Sequence, residues 1–390
     1  MPSAGRATPP LLKDLNRRTV LETIRSGAPI SRAEISRRSG ISKPTVSLAL
    51  QALLEAELVR EARRRPDGPS YGAVYFEPVS EAALSLGLDV GTQFVRGAVC
   101  DLAGMTRARQ DIELTHADVS GAVEAILLLN ASLIRATGLS SELVDSAVVG
   151  VPGVVERNSG LLRLAGNVEG LEGGAFADEL QSALAVPVTL ENDINLAALG
   201  EQWQGVARGV HNFAFLSIGA GLGAGLVLDG ELHRGHNGAA GELDYALGEP
   251  SDDADPCAFA VSALAARLAS GSGSTVLAQP YDTRAIFGAA RNGDSVAREV
   301  VTEVARRIAL HVAPIAAVTD VELVVLGGGI GANGDLLLDP VSRMLAEWLP
   351  FPPRVEVSTL GEAAVLAGAL SVGLTAALDN VSRNRRPAAR

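Results

Sequence analysis

Cysteine is scarce in this chain of 390 residues, in which Cys100 and Cys257 lie far apart. Two thiols without metal-ligand spacing support neither a disulfide framework nor a cysteine zinc site, so both are expected in the core. The sequence also has no uninterrupted run of about eighteen apolar residues. Its first residues, MPSAGRATPP, lack the apolar stretch of a signal peptide. We therefore expect a cytoplasmic protein that does not contact a membrane.

The composition is that of a folded α/β protein. Hydrophobic residues make up 47% of the chain and charged residues 20%, and glycine occupies 42 positions. These values argue against a disordered or fibrous protein. A chain of 390 residues exceeds what one hydrophobic core usually supports, so two or three domains are expected.

The net charge of −12 is unevenly distributed along the chain. Residues 1–80 contain 13 Lys and Arg against 8 Asp and Glu, whereas the remaining 310 residues contain 20 against 37. Nucleic acid attracts the first segment and repels the second. Two modules with different partners are therefore indicated.

Three helices are predicted in the N-terminal module. The first spans residues 11–26, where apolar residues recur near helical spacing at Leu12, Leu15, Val20 and Ile24. Ser31 is positioned to cap a second helix that Gly40 ends, and Ser42 to cap a third over residues 43–58. This order of helix, turn and helix is typical of DNA-binding modules.

The third helix divides into a core face and an outward face. Its core face is predicted to consist of Val46, Leu50, Leu53 and Leu54. The candidate DNA contacts are polar or lie at the helix start: Arg32, Ser42, Lys43, Pro44, Thr45, Ser47 and Gln51. Such side chains can reach bases and phosphates in a major groove, although a solvated helix face has the same pattern.

Residues 58–78 resemble two short strands around a turn, which would form a wing. Arg63, Arg64 and Arg65 lie at its base and are candidate phosphate or minor-groove contacts. Positive charge, three helices and a basic wing together indicate DNA binding. A winged helix that binds protein is the alternative.

Glycine-rich turns recur in the remainder of the chain. Residues 84–104 and 213–235 each predict a strand, a glycine-containing turn and a returning strand, as expected if two lobes each open on a hairpin. Residues 321–334 predict a strand followed by glycines and a helix. Glycine lets backbone N–H groups approach a phosphate, although it also serves tight turns.

The phrase VPVTLENDIN, residues 186–195, places Glu191, Asn192 and Asp193 at the end of a predicted strand. The carboxyl ends of strands in an open α/β sheet are where ligands bind. A carboxylate there can accept a proton from a sugar hydroxyl. Asn and Asp also favour the first position of a helix, so a helix cap is the alternative.

The order of five phrases along the chain resembles the ROK family of repressors, open reading frames and sugar kinases. They are DVG (Asp89–Gly91), ENDIN (Glu191–Asn195), GAGLGAG (219–225), RGHNGAAGE (Arg234–Glu242) and LGGGI (326–330). The resemblance covers residues 11 to about 378. The N-terminal helix-turn-helix is similar to that of the repressor branch.

The resemblance implies a fold in several parts. A winged helix-turn-helix would occupy residues 1–80 and precede an actin-like, ribonuclease H-like, two-lobed sugar kinase fold. The small α/β lobe would comprise residues 81–195 with a C-terminal helix over about 362–378, and the large α/β lobe residues 196–361. Residues 379–390 would form a flexible basic tail.

Roles for individual residues also follow from the resemblance. The positions that match family sugar ligands are Asn167, Asn192, Asp193 and Glu242, and Asp193 matches the catalytic base. The positions that match nucleotide and phosphate loops are Asp89, Gly91, Thr92, Gly219, Gly221, Gly223, Gly327, Gly328 and Gly329.

This sequence departs from the family at the phosphate loops. The first family loop reads DxGGT, whereas Thr92 and Gln93 stand here in place of its second glycine and its threonine. The second loop commonly reads GTG, and Ala220 replaces its threonine. Phosphoryl transfer depends on such donors, so we expect that ATP is not a cofactor and that kinase activity is lost.

The family zinc site is also missing from the sequence. The family has a His three residues after the glutamate that matches Glu242, and a CxCGxxGC segment follows. Tyr245 stands at that His position, and Cys257 is the sole thiol downstream. Four-coordinate zinc cannot be built from one thiol, so no metal is expected. Tyr245 can still bond to or stack on a sugar.

The leading hypothesis is a sugar-responsive transcriptional repressor. It would bind operator DNA as a homodimer or homotetramer and sense a small sugar or sugar phosphate in its kinase-like cleft. The competing hypothesis is an active ATP-dependent sugar kinase with a fused DNA-binding domain. Retention of Glu191, Asn192 and Asp193 favours the kinase, and the altered phosphate loops favour the repressor.

Overall fold

The computed structural model describes residues 9–62, 73–114, 116, 118–165, 168–245, 254–271 and 274–384. Its helices are α1 (Pro9–Gly27), α2 (Arg32–Ser39), α3 (Lys43–Glu55), α4 (Val119–Thr137), α5 (Ala175–Leu184), α6 (Asp193–Trp203), α7 (Ala258–Ser270), α8 (Thr283–Arg291), α9 (Ser295–Thr319), α10 (Gly328–Gly331), α11 (Gly334–Trp348) and α12 (Ala364–Asn384).

The strands form a small N-terminal sheet, one sheet in each lobe and a two-stranded ribbon. They are β1 (Ile30–Ser31), β2 (Val59–Glu61), β3 (Tyr75–Pro78), β4 (Leu84–Val90), β5 (Phe94–Asp101), β6 (Thr106–Glu113), β7 (Val144–Val151), β8 (Val154–Val155), β9 (Leu162–Arg163), β10 (Val188–Asn192), β11 (Phe213–Ile218), β12 (Leu222–Leu228), β13 (Glu231–Leu232), β14 (Leu323–Gly327) and β15 (Arg354–Val357).

The helix-turn-helix has the capping residues that its sequence predicts. The Ser31 hydroxyl accepts a hydrogen bond from the Glu34 amide, and Gly40 ends α2 in the left-handed region at a φ of 69°. Ser42 caps α3. The third helix ends at Glu55 rather than at Leu58, because Glu57 adopts a φ of 56° and Leu58 turns into the core.

The predicted core of this module is right in part. Val20, Ile24, Val46, Leu50 and Leu53 are buried. Leu54, which is also predicted in the core, is instead 36% exposed, and Leu12 and Leu15 of α1 are 46% and 52% exposed. A helix at the surface of a domain buries only one stripe of its side chains, and these residues lie outside that stripe.

Strand β3 lies between β1 and β2 and is antiparallel to both. The paired strands β2 and β3 are the two sides of the predicted wing. The segment between them, which contains the predicted turn and the predicted contacts Arg63, Arg64 and Arg65, lies outside the described residues.

Each lobe is built on a five-stranded sheet that opens with an antiparallel hairpin, as the repeated glycine turns predict. The first sheet has the order β10-β7-β4-β5-β6, and the second has the order β13-β12-β11-β14-β15. Strands β4, β7 and β10 are parallel, so their carboxyl ends meet at one edge. Strands β11, β14 and β15 do the same in the second sheet.

Helix α12 returns to the first lobe but extends beyond the predicted end at residue 378. Residues 379–384 continue the helix and are not part of a tail, because Val381 and Ser382 are buried. The Asn380 side-chain amide also donates to Asp145 Oδ2 at 2.8 Å. Residues 385–390 lie outside the described residues.

Helices α6 and α12 pack against each other backbone to backbone. A Cβ added to Gly368 would lie 1.8 Å from the Leu196 carbonyl oxygen, and one added to Gly200 would lie 2.2 Å from that of Ala364. The two glycines therefore permit a close helix crossing that other residues would prevent.

Two described segments, Val119–Thr137 and Gly361–Arg383, are long and apolar enough to cross a membrane by length and composition. Within the fold, 39% and 56% of their most apolar windows are buried. Their apolar faces pack in the hydrophobic cores of the N-terminal module and the first lobe. The same composition is typical of a core helix.

Candidate ligand site and nucleic-acid interface

Two adjoining cavities lie between the lobes at the carboxyl ends of the strands. The first, of about 520 Å³, is lined by Pro152, Gly153, Leu164, Glu172, Asn192, Asp193, Ile194, Ser217, Gly219, Ala220, Gly221, Leu222, Glu242 and Asp244. The second, of about 390 Å³, is lined by Asp89, Gly91, Arg96, Asp193, Ile194, Ala197, Phe215, Ser217, Leu326, Gly327, Gly328, Gly329, Ala332, Ser358, Gly361, Glu362, Ala364 and Val365. Asp193, Ile194 and Ser217 line both.

Asp193 lies at the junction of the two cavities as the first residue of α6. Its Oδ1 accepts a hydrogen bond from the Ile194 amide at 2.8 Å. Burial, followed by the charge of Asp89, raises the pKa of Asp193 to about 7. A carboxyl with that pKa can accept a proton near neutral pH, as a family base must.

Asn192 serves both as a helix cap and as part of the cavity wall. Its Oδ1 accepts from the Asn195 amide at 2.9 Å, and its Nδ2 donates to the Gly153 carbonyl at 3.0 Å. One lone pair and one N–H remain for a ligand. The two interpretations of this position are therefore compatible.

Glu191 does not line either cavity. Its Oε1 accepts from Asn195 Nδ2 at 3.0 Å, and its Oε2 accepts from Arg234 Nε at 2.6 Å. Arg234 belongs to the loop before Glu242, so this buried carboxylate joins strand β10 to the second lobe. The structure assigns Glu191 a positioning role.

Three further carboxyl groups line the first cavity beside Asp193. The sequence indicated Glu242, whose pKa is raised by burial and by the charge of Asp244. Sequence reasoning missed Asp244 and Glu172. Asp244 Oδ1 accepts from the Leu222 amide at 3.0 Å, and Glu172 Oε1 accepts from the Ala165 amide at 3.1 Å. Only its position two residues after Glu242 could have drawn attention to Asp244.

The second cavity contains one ion-pair network. Arg96 Nη1 lies 3.4 Å from Asp89 Oδ2, and its Nη2 lies 3.0 Å from Glu362 Oε2. Burial raises the pKa of Asp89 to about 6, and the positive charge of Arg96 opposes that rise. Arg96 and Glu362 could not be identified from the sequence, because residue 362 reaches this site only through the return of α12.

The structure brings the glycine loops of the second lobe together. A Cβ added to Gly219 would meet the Gly329 amide nitrogen at 3.8 Å, and one added to Gly221 would lie 2.9 Å from Asp244 Oδ2. Gly328 has a φ of 76°, and a Cβ added to it would clash with the Ile218 backbone. Both its conformation and its surroundings therefore favour glycine. Gly327, Gly328 and Gly329 line the second cavity, as does Gly91.

Two predicted loop positions do not line either cavity. Gly223 lies within strand β12, where an added Cβ would be 2.3 Å from Ile194 Cδ1, so its glycine serves the packing of α6. Thr92 is exposed beside the loop. Asn167 lies outside the described residues, as does the side chain of Tyr245, whose backbone ends the short helix Leu243–Tyr245.

The second cavity fits the adenosine half of a nucleotide better than the phosphate half. Phe215, Leu326 and Val365 provide apolar walls, and Gly329 has no atom within 4 Å of an added Cβ. On the phosphate side, Asp89 is engaged by Arg96, and Ala220 carries no hydroxyl. The donor set is therefore poor for a triphosphate.

The region that matches the family zinc site is held by hydrogen bonds. Arg307 donates to the Asp255 carbonyl at 2.7 Å, and His311 Nε2 lies 3.1 Å from the Ala254 carbonyl oxygen. Cys257 is the N-cap residue that precedes α7, and burial raises the pKa of its thiol. Across the described ranges, no group of three or more His, Cys, Asp or Glu residues could hold a metal ion.

The predicted DNA contacts lie together at the start of α2 and along α3. Arg32, Lys43, Pro44 and Gln51 are exposed. Ser42 is also exposed, and its hydroxyl lies 2.9 Å from that of Thr45. Ser47 donates to the Lys43 carbonyl at 2.9 Å, and Gln51 donates to Glu55 at 3.0 Å. These polar groups occupy one accessible helix face.

Sequence reasoning missed Leu48 on that face. Its side chain is 70% exposed, on the side of α3 opposite the buried residues Val46, Leu50 and Leu53. An exposed leucine on a groove-facing helix can contact a thymine methyl group. Because apolar residues are ordinarily assigned to the core, only its place outside the buried stripe of α3 distinguishes it.

Comparison with known proteins gives consistent matches. The ROK family model matches residues 85–376, and a model of a winged helix-turn-helix that binds DNA matches residues 13–60. A putative xylose repressor from Caldicellulosiruptor sp. (strain Rt8B.4) is 26% identical over 93% of this chain and 96% of its own length. A glucokinase from Halalkalibacterium halodurans is 29% identical over 73% of this chain and 93% of its own.

Solved structures match in the same way. A ROK family transcriptional regulator, a homolog of the E. coli MLC protein, has a TM-score of 0.80 and 23% identity over 95% of this chain and 99% of its own. A ROK family glucokinase from Streptomyces griseus, in complex with glucose and AMPPNP, has a TM-score of 0.62 and 25% identity over 75% of this chain and 99% of its own. With a family model that spans most of its length, this chain belongs to the ROK family and carries an N-terminal winged helix-turn-helix.

Proposed function

We propose that this protein is a transcriptional repressor whose affinity for operator DNA is set by a sugar or sugar phosphate bound between its lobes. The observation that carries the proposal is the continuity from the cavities to the DNA-binding module. Asp193 at the start of α6 lines both cavities, and Trp203 at the end of the same helix packs beside α1.

The contact between the body and the DNA-binding module is extensive. Leu366, Leu370 and Leu374 of α12 share one hydrophobic core with Val20 and Ile24 of α1. Arg18 of α1 forms an ion pair with Asp379 of α12. Because α6 and α12 touch through Gly200 and Gly368, a shift of either helix moves its neighbour.

A sugar that binds differently to two arrangements of α6 shifts the population between them. The shift reaches α3 through α12 and α1. Coupling of this kind is typically worth about 1–3 kcal/mol, which is a change of roughly 5–150-fold in DNA affinity.

The protein is expected to act in the cytoplasm as a homodimer or homotetramer. Helix-turn-helix proteins commonly bind palindromic half-sites about one turn of DNA apart, which a two-fold dimer matches. Analytical ultracentrifugation with and without a palindromic operator tests the assembly, and a monomer on DNA would contradict it.

A gel-shift titration against the upstream region of its own gene, with and without candidate sugars, tests the proposal. We expect at least one sugar to change the operator affinity. Asp193→Ala should abolish the effect of the sugar while the variant still binds operator. If no DNA shift occurs under any condition, the proposal is wrong.

An active sugar kinase is the second candidate, favoured by Asp193 and by the apolar walls of the second cavity. The Arg96–Asp89 ion pair and the missing loop hydroxyl oppose it. A coupled assay of ATP consumption over a hexose panel decides between them. Turnover that Asp193→Ala abolishes would establish the kinase.

A further inference from the structure

The wall of the first cavity is rich in carboxyl groups. Glu172, Asp193, Glu242 and Asp244 contribute four carboxyl groups to its wall, and no Lys or Arg is found among its described lining residues. Two unit charges about 4 Å apart interact by about 4 kcal/mol near a protein surface. An anion that enters this cavity is therefore repelled by the ionised carboxyl groups, and the repulsion increases as the pH rises through the raised pKa of Asp193, about 7.

The second cavity does not offer a free cation either. Among its described lining residues, Arg96 is the one basic side chain, and it already pairs with Asp89 and Glu362. Asp193 adds a further carboxyl group at the junction. A phosphate that extended from the first cavity into the second would have to displace a carboxylate from Arg96.

Two arginines outside the described cavity linings, Arg234 and Arg157, hydrogen-bond to protein groups. Arg234 donates to Glu191 Oε2 at 2.6 Å, and Arg157 donates to the Gly235 carbonyl at 3.1 Å. The sequences of the neighbouring undescribed segments, 166–167 and 246–253, contain no Lys or Arg. Residues 246–253 instead include three acidic residues.

The cavity wall matches a ligand that donates hydrogen bonds. Carboxylates are acceptors and sugar hydroxyls can donate to them, whereas the ionised phosphate group of an ester brings only acceptors. On the basis of the proposed function, we infer that the effector is an unphosphorylated sugar. We also infer that the carboxyl groups around the cleft exclude its phosphate esters.

Isothermal titration calorimetry on the full-length protein tests this inference. The panel consists of D-xylose, D-glucose, D-mannose and N-acetyl-D-glucosamine, each beside its terminal phosphate ester. We expect at least one free sugar to bind, and its ester to bind at least 10-fold more weakly. An ester that binds as tightly as its parent sugar, or no binding by any free sugar, would overturn the inference.

The double variant Glu172→Gln with Asp244→Asn tests whether charge or size excludes the phosphate ester. Both substitutions keep the oxygen that accepts from Ala165 or Leu222, so the loops should keep their positions. The ratio of ester to sugar dissociation constants should fall several-fold in this variant. An unchanged ratio would mean that size excludes the ester, which contradicts the role given to charge.

Gel shifts with the same ligands distinguish this inference from the proposed function. A sugar phosphate that binds the cleft and changes DNA affinity would overturn the inference and leave the repressor proposal intact. A free sugar that binds without any effect on DNA affinity would overturn the repressor proposal, and the exclusion of phosphate esters from the cleft would still stand.

Discussion

The raised pKa of Asp193 should affect the stability of the protein in the absence of ligand. Its folded pKa of about 7 lies above its usual 3.8, so its contribution to stability is full below the unfolded pKa and is lost as the pH rises through 7. At pH 8, Asp193→Asn should therefore be more stable than the wild type, by about 2 kcal/mol. That advantage should shrink steadily as the pH falls towards 4.

Urea unfolding at pH 5, 6, 7 and 8 measures this difference. Asp294→Asn is the matched control, because hydrogen bonds from the amides of Ala297 and Val276 lower the pKa of Asp294. Its charge does not change over this pH range, so its difference from the wild type should stay constant. A constant difference for Asp193→Asn as well would contradict the raised pKa.

Two neighbouring side chains on α3 should affect DNA binding in different ways. If Lys43 contacts a phosphate, Lys43→Ala should weaken binding to all sequences and lower the slope of log affinity against log salt by about 1. If Leu48 contacts a base, Leu48→Ala should weaken operator binding roughly five-fold and leave nonspecific binding unchanged.

Fluorescence anisotropy with operator and scrambled duplexes at several salt concentrations measures both effects. Leu128→Ala is the control, since this residue of α4 is 57% exposed on the body. Equal losses on the two duplexes for Leu48→Ala would show that this side chain does not read the sequence.

At the scale of secondary-structure elements, the sequence predicts best what local chemistry decides. Ser31, Gly40 and Ser42 mark helix ends because capping involves atoms a few residues apart. The hairpin turns are similarly local. Site residues depend instead on partners that are distant in the sequence. The packing role of Gly223 cannot be predicted, because nothing in its sequence neighbourhood indicates that Ile194 packs against it.

The same reasoning explains what was missed in the cleft. Asp193 and Glu242 are found through motifs, whereas Glu172 and Asp244 take part because the lobes converge on them. Arg96 and Glu362 are 266 positions apart in the sequence and meet only in the folded chain. Charge pairing at that separation has no local signature.

The close contact between helices α6 and α12 predicts that an alanine at position 368 destabilises the protein. Gly368→Ala places a methyl group against the Leu196 carbonyl oxygen, so it should destabilise the protein by about 1–3 kcal/mol. Gly288→Ala in helix α8 meets no atom within 4 Å and should stabilise the protein by up to about 1 kcal/mol through helix propensity. Urea unfolding compares the two variants, and equal effects would contradict the close crossing.

For the whole molecule, the two tryptophans provide separate reporters of ligand binding. Trp203 lies between the body and α1, close to Arg25 and Leu374 around Gly104. Trp348 ends α11 in the other lobe and is 42% exposed. Trp348→Phe therefore leaves a single tryptophan at the contact with the DNA-binding module, and Trp203→Phe leaves one remote from it.

If α6 carries the signal from the cleft to α1, a bound sugar should shift the emission of Trp203 and alter its quenching by acrylamide. The emission of Trp348 in the companion variant should not respond. Trp203→Ala should bind sugar and operator separately but lose the effect of sugar on operator affinity, because the contact with α1 is reduced. A sugar that still changes operator affinity in that variant would place the coupling on a route other than the end of α6.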